Sequence, residues 1–176
     1  MPTELDGVFI GSGWMMMRDR WPAKDGQGMY VNFHANMHSL RHKQADDLSF
    51  IVHARQRDWL IDPGKYNYEQ VDDFRAHFRL DASAHNTYTA NNNNYDLRAG
   101  KGGEGIGLLG ADSRPELAAA VGINEHYPDG QIARTLVFVR SLGLIVLIDE
   151  LRSRPAMKWK SHLHLAHDLE VVQSGD

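Results

Sequence analysis

The chain contains no cysteine, which excludes disulfide staples and thiolate metal cages while leaving its compartment undecided. It has no apolar run near the length of a membrane span, and its N-terminus lacks the pattern of a signal peptide. It also lacks any cationic excess. The formal net charge is -4, which argues against general nucleic-acid binding but leaves room for a local basic groove. No internal repeat is visible, and no shift of composition marks a domain boundary. With 176 residues, 42% of them hydrophobic, the chain suffices for one domain with a real core.

What the chain does have is histidine, ten in all, a residue suited to metal ligation and to proton transfer near neutrality. It also has short runs of strand character between turn signals. Residues 8–10 lead into Gly11-Ser12-Gly13, residues 14–17 end at Arg18-Asp19-Arg20, and residues 29–33 alternate with period two. The run Met15-Met16-Met17 reads as core filler. Residues 48–53 and 59–61 form a hairpin candidate around the polar residues 55–58. Asp62-Pro63-Gly64 ends its second strand, because Pro has no ladder donor and Gly permits the turn. Val71, Phe74 and Phe78 fall at helical spacing and predict one short helical segment within 69–78. Asn91 to Asn94 has turn chemistry and predicts an exposed loop.

Strand candidates then follow at 106–109, 117–123, 132–139 and 144–148, although the three alanines of 117–121 would also suit a helix. Residues 144–148 are apolar at every position, as expected for a strand covered on both faces. In the last segment Met157, Trp159, Leu163 and Leu165 share one parity, while Lys158, Lys160, His162 and His164 share the other. The first set should pack on a core. The second is either a solvated outer face or a basic strip for a polyanionic sugar. Frequent short strands with turn signals predict an all-β fold, an antiparallel β-sandwich or barrel formed by residues 1–176 as a single domain.

Three runs organise the chain: HKQADDLSF at 42–50, DPGKYNY at 62–68 and AHNT at 84–87. They gather polar groups able to bind a metal or move a proton, which are costly to bury unless paired or ligated. In this order the runs resemble the C-terminal β-sandwich region of the heparinase II/III-like polysaccharide lyases. That family carries His-x-His-x-Asp-x-Leu-Ser-Phe, Asp-Pro-Gly-x-Tyr-x-Tyr and Ala-His-Asn-Thr. Weaker similarity extends over most of the chain.

The resemblance implies β-elimination on a uronic-acid-containing acidic polysaccharide, in a periplasmic or secreted setting. It implies zinc or another divalent metal held by Gln44, Asp62 and His85. Gln44 departs from the family's histidine, and its neutral amide is the poorer zinc ligand, so His42 is the candidate substitute. It further implies His42, Tyr66 and Tyr68 as catalytic groups and Arg75 and Arg79 as partners of the uronate carboxylate. The family's helical toroid, which precedes the sandwich, is absent from this sequence. The chain is therefore expected to be the sandwich of a larger lyase, inactive alone and incomplete at its C-terminal end, where 170–172 reads as a strand cut short.

Two rival readings stand beside it. One is a non-catalytic carbohydrate-binding or structural β domain of the same ancestry, which Gln44 favours. The other is a cupin-like metal site built on His162, His164 and Asp168. At residue level, the alternative for Asp62 and His85 is plain hydrogen bonding to turn backbone.

Overall fold

The computed structural model describes residues 4–21, 26–36, 43–64, 80–99 and 104–172. The described residues form eleven strands, short 3-10 turns and no α-helix. The helical segment expected within 69–78 lies outside the described residues.

The first sheet has the order β1-β2-β3-β4-β5, formed by Gly7–Phe9, Trp14–Arg18, Met29–His34, Phe50–Ala54 and Arg57–Leu60. Every pairing in it is antiparallel. The period-two pattern sorts β2, β3 and β4: Met15, Met17, Val31, Phe33, Phe50 and Val52 are buried, and the strand residues between them are not. The β4–β5 hairpin turns on Arg55 and Gln56, both at positive φ (53° and 63°). Two residues with φ > 0 are what a hairpin needs for its turn to match strand twist. The β1–β2 connection ends on Gly13 at φ 68°. A Cβ there would sit 1.9 Å from the Ala35 carbonyl oxygen, so only glycine fits.

The second sheet runs β10-β9-β8-β7, from Leu144–Ser153, Gly130–Val139, Leu117–Tyr127 and Ile106–Ser113. Its inner face packs on the first sheet through Ala118, Ala120, Ile132, Leu136 and Phe138. The alanine-rich 117–121 is strand, because its inward positions need side chains small enough for the first sheet to approach. Gly122 marks the tightest point. A Cβ there would lie 2.6 Å from Leu48 Cδ2 and 3.1 Å from the Phe33 ring.

A third ribbon pairs β11 (Trp159–Ser161) with β6 (Tyr88–Ala90). The fold is an all-β, antiparallel sandwich.

Three sequence expectations need correction. Residues 144–148 are not covered on both faces. β10 is an edge strand, and Leu144, Val146 and Ile148 are exposed while Ile145 and Leu147 pack inward. The parity of the last segment reverses after Ser161. Met157 and Trp159 pack on the core as expected, but Leu163 and Leu165 are exposed and His162 and His164 turn inward. The ribbon ends just beyond: His162 N still donates to Thr87 O in the same register, but His164 N donates to Asn86 Oδ1 and His164 O accepts from Ile61 N. Third, 170–172 is not strand, and Val171 and Val172 are 80% and 85% exposed. The Asn91-to-Asn94 loop is exposed as expected up to Asn93, but Asn94 is half-buried and bonds Asp81 and Ala82 N.

Two buried polar side chains tie the layers together. Asn86 Nδ2 donates to Phe50 O (2.7 Å) and Ile61 O (3.0 Å), while its Oδ1 accepts from His164 N at 2.6 Å. Its backbone N–H donates to Ser49 Oγ. Arg134 is fully buried on the inner face of β9 and forks onto Asp149 of β10 at 2.7 and 3.1 Å. Its Nη1 donates to both Leu48 O and Asn86 O. Leu48 is buried with φ 65°, a conformation a bulky side chain adopts only when its surroundings enforce it. Removing the Asn86 amide leaves two carbonyls and one N–H without their partner. Asn86→Ala is expected to cost about 3 kcal/mol or more in urea unfolding, against less than about 0.5 kcal/mol for the exposed Asn93→Ala. A loss equal to that of the Asn93 control would remove Asn86 from this role.

Candidate functional site

The site lies at the end of the first sheet where β3 finishes, β4 begins and β5 finishes. Two loops supply its groups. The first, entering β4, brings Lys43, Gln44, Asp46 and Asp47; the second, leaving β5, brings Asp62. A 3-10 turn at Ala82–Ala84 delivers His85.

His85 is fully buried and its Nδ1–H donates to Asp62 Oδ2 at 2.6 Å. The other Asp62 oxygen accepts from Gly64 N at 2.9 Å, the local turn that Asp-Pro-Gly favours. Burial alone would raise the Asp62 carboxyl, but the hydrogen bond and charge of His85 and the Gly64 N–H outweigh it and hold it below the usual carboxylate range. The carboxylate therefore fixes the ring's orientation and tautomer. A fully buried imidazole does not touch a polymer directly. What His85 can do here is bind an ion or position a neighbour.

Beside this pair is a denser cluster. Lys43 Nζ is nearly buried and lies 2.8 Å from both Asp46 Oδ1 and Asp47 Oδ2. Burial alone would strip its proton, but Asp47 and Asp46 more than compensate, and its pKa is raised. Burial likewise pushes Asp46 up, and is overcome by His34 and Lys43, which hold its carboxyl far below the ordinary range. The His34 contact is the weaker of the two by geometry: Nε2 stands 3.4 Å from Asp46 and makes no well-formed hydrogen bond. Trp14 stacks on the His34 ring at 4.7 Å. Asp47 is fully buried and accepts the Tyr95 hydroxyl at 2.5 Å, while Tyr95 Oη accepts from Asp47 N. Burial first and Asp47 second raise the Tyr95 pKa well above its usual value, so the phenol stays a donor.

Of the sequence candidates, Asp62 and His85 come together, and Gln44 lies half-buried on the adjoining loop. His42, Tyr66, Tyr68, Arg75 and Arg79 lie outside the described residues. Among the described residues, no three His, Asp or Glu side chains converge as a metal cage. The cupin-like set does not assemble. His162 Nε2 bonds Thr89 Oγ1, His164 Nε2–H donates to Ser83 O, and Asp168 pairs with Arg57. Burial, with His164 and Lys160 nearby, lowers the His162 pKa, so that ring stays neutral. Sequence reasoning did not single out Lys43, Asp46, Asp47 or His34. The signal was present in the charged HKQADD run, where each charge buried at such a sheet end needs a partner.

The sequence profile of the Heparinase II/III-like, C-terminal family matches residues 1–176. The chain belongs to this family. The heparan sulfate lyase HepC from Pedobacter heparinus superposes with a TM-score of 0.79 at 18% identity, over 95% of this chain and 25% of that one. A gene product solved as heparinase III gives a TM-score of 0.83 at 20% identity, over 99% of this chain and 26% of that one. This heparinase II/III-like chain thus spans about a quarter of the length of these structures. Among curated proteins, none matches it in sequence. Among the described residues, no helix is long and apolar enough to cross a membrane.

The charged cluster makes a pH prediction. Asp46 and Asp62 are depressed on folding. Such groups contribute stability that is complete above the unfolded value, about 3.9, and is lost as pH falls through the folded value. Stability should therefore begin to fall below about pH 4, and Asp46→Asn should make that fall shallower in urea midpoints measured from neutral to acid pH. An unchanged or steeper acid limb in the variant would count against the network.

Proposed function

We propose that this chain is the sandwich module of a polysaccharide lyase that cleaves a uronic-acid-containing acidic polysaccharide by β-elimination. The observation that carries the reading is the family match over the whole chain, with the family's Asp-His pair formed at 2.6 Å at the sheet end. The names of the similar structures, a heparan sulfate lyase and heparinase III, favour a sulfated uronate polymer. A helical toroid is proposed as the partner that completes the cleft, and the chain alone as inactive.

In β-elimination a base takes the proton beside the uronate carboxylate, the carboxylate charge is neutralised, and an acid protonates the leaving glycosidic oxygen. We assign proton transfer to His42, Tyr66 and Tyr68, and carboxylate pairing to Arg75 and Arg79. His42 adjoins Lys43 in sequence, and Lys43 is clamped by Asp46 and Asp47. The Asp62–His85 pair ties the loop leaving β5 to the 3-10 turn at Ala82–Ala84.

A divalent metal fits this donor set in part. Asp62 and His85 are strong donors already in contact, but the third position is the amide of Gln44, and the described residues add no further cage. No step of the reaction is routed through a metal here. A non-catalytic carbohydrate-binding role is the second reading, and Gln44 is the feature that favours it.

Two measurements decide. With heparan sulfate or alginate, absorbance of unsaturated uronate should stay flat for the isolated chain and rise for a protein that joins it to a toroid. No rise with the joined protein leaves the binding-domain reading in possession. For the metal, Gln44→His should raise zinc affinity by about tenfold or more, since imidazole replaces a neutral amide oxygen, and His85→Ala should abolish the gain. Calorimetric titration showing no response to either substitution would rule out a metal role for these residues.

A further inference from the structure

The other end of the first sheet carries a second set of groups that the reading above does not use. There, where β2 and β4 finish and β3 begins, an open groove of about 720 Å3 runs between the sheets along Trp59, Leu60 and Leu165. Arg20 and Arg55 stand at its mouth. A smaller depression of about 320 Å3 adjoins it, lined by Arg18, Trp21, Tyr30 and His53, and the two share Arg20, Gly28 and Met29. Along β4 the mouth is four to five residues from the Asp62–His85 end, roughly 15 Å at strand rise.

The side chains stand on the two faces of this sheet end, which meet at Arg20, Gly28 and Met29. Trp59 is 38% exposed, yet its indole N–H is already bonded to Ala54 O at 3.0 Å, so the ring is held in place. The Arg18 guanidinium sits 4.3 Å over Trp21 and 4.7 Å over Tyr30, which fixes that aromatic pair around a cation. Arg20 and Arg55 are exposed. Among the described residues, Asp19 is the acid that lines either depression, and it is spent on Arg20 at 3.4 Å and on Met29 N at 2.7 Å. Cations thus prevail locally on a chain whose formal net charge is -4.

We propose that this groove is a second binding site, for an acidic oligosaccharide bearing sulfate or carboxylate groups. Indole faces suit the apolar faces of sugar rings, and guanidinium forks suit planar or tetrahedral oxyanions. The groove's volume lies within the range of ligand sites. An apolar peptide would leave Arg55 unmatched, and a neutral glycan would leave the cationic bias unexplained. The ligand class rests on the proposed function; the position of the groove does not. Its role would be to hold the polymer away from the reacting end, so binding here is separable from elimination.

The test is calorimetric titration of the whole chain with a sulfated heparin hexasaccharide, with neutral cellohexaose as the counter-probe. Arg20→Ala/Arg55→Ala should weaken hexasaccharide binding by about tenfold or more. Trp59→Ala should weaken it severalfold with an unchanged strand-type circular dichroism spectrum. Removing two exposed cations elsewhere, in Arg98→Ala/Arg114→Ala, should change affinity less than about twofold. Wild-type affinity in the Arg20→Ala/Arg55→Ala variant overturns the proposal, as does an equal loss in the control variant or equal binding of cellohexaose. Because turnover is not read, a failed elimination assay leaves this result intact, and a failed titration leaves the lyase reading intact.

Discussion

A guanidinium with no access to water sets the terms for this sandwich. Arg134 is on the inner face of β9, where its neighbours Ile132 and Leu136 are ordinary core residues. A charge in that place is tolerable only if each face of it is matched. The match comes from three directions: Asp149 on the next strand, the carbonyl of Leu48 from the opposite sheet, and the carbonyl of Asn86 from the third ribbon's approach. The rings of Phe50 and Tyr88 close over it at 5.4 and 5.3 Å. One side chain therefore joins all three sheets, and taking away one partner would strand a buried charge.

The candidate site inherits its rigidity from this arrangement. Leu48 is held in a left-handed conformation between Arg134, which takes its carbonyl, and His34, whose carbonyl accepts its N–H at 2.8 Å. That turn fixes the preceding Asp46 and Asp47, which in turn clamp Lys43. On the other side Asn86 is bonded to Phe50, Ile61 and His164, so His85 and Asp62 on its flanks have little freedom. Groups supplied by loops gain in this way the precision of groups supplied by strands. At the far end Arg140 pairs with Asp6 and donates to Arg18 O, tying the turn after β9 to the first sheet. The two ends thus differ in character: one is a packed charge cluster, the other an open groove with exposed arginines and aromatic rings.

The AHNT and LSF runs also supply polar residues that bind the layers to one another, Asn86, Thr87 and Ser49. In the structure they are the stitching: Asn86 and Ser49 bond each other, and Thr87 Oγ1 donates to Asp47 O. Their polar atoms face backbone, not a cleft. The same applies to His162 and His164, whose alternation with leucines suggested an outward basic face. The ladder with β6 runs on through His162 N and Thr87 O and breaks at His164, whose N–H goes to the Asn86 side chain, and both rings lie half-buried.

The amino-acid sequence by itself determined the strands, their alternation and the antiparallel sandwich, because period-two burial and turn chemistry are local properties. It also carried the family, since three short runs in one order point to it, but the direct bond between Asp62 and His85 came only with the structure. It did not reveal which charges would be buried. Lys43, Asp47 and Arg134 look like solvated residues until chain segments 40 to 90 residues apart are brought together, as in Arg134 with Leu48 and Tyr95 with Asp47. Nor did it reveal that Leu144, Val146 and Ile148 face outward on an edge strand. Strand order and the parity break after Ser161 follow from which backbone groups find partners across sheets. That competition is settled only by the assembled fold.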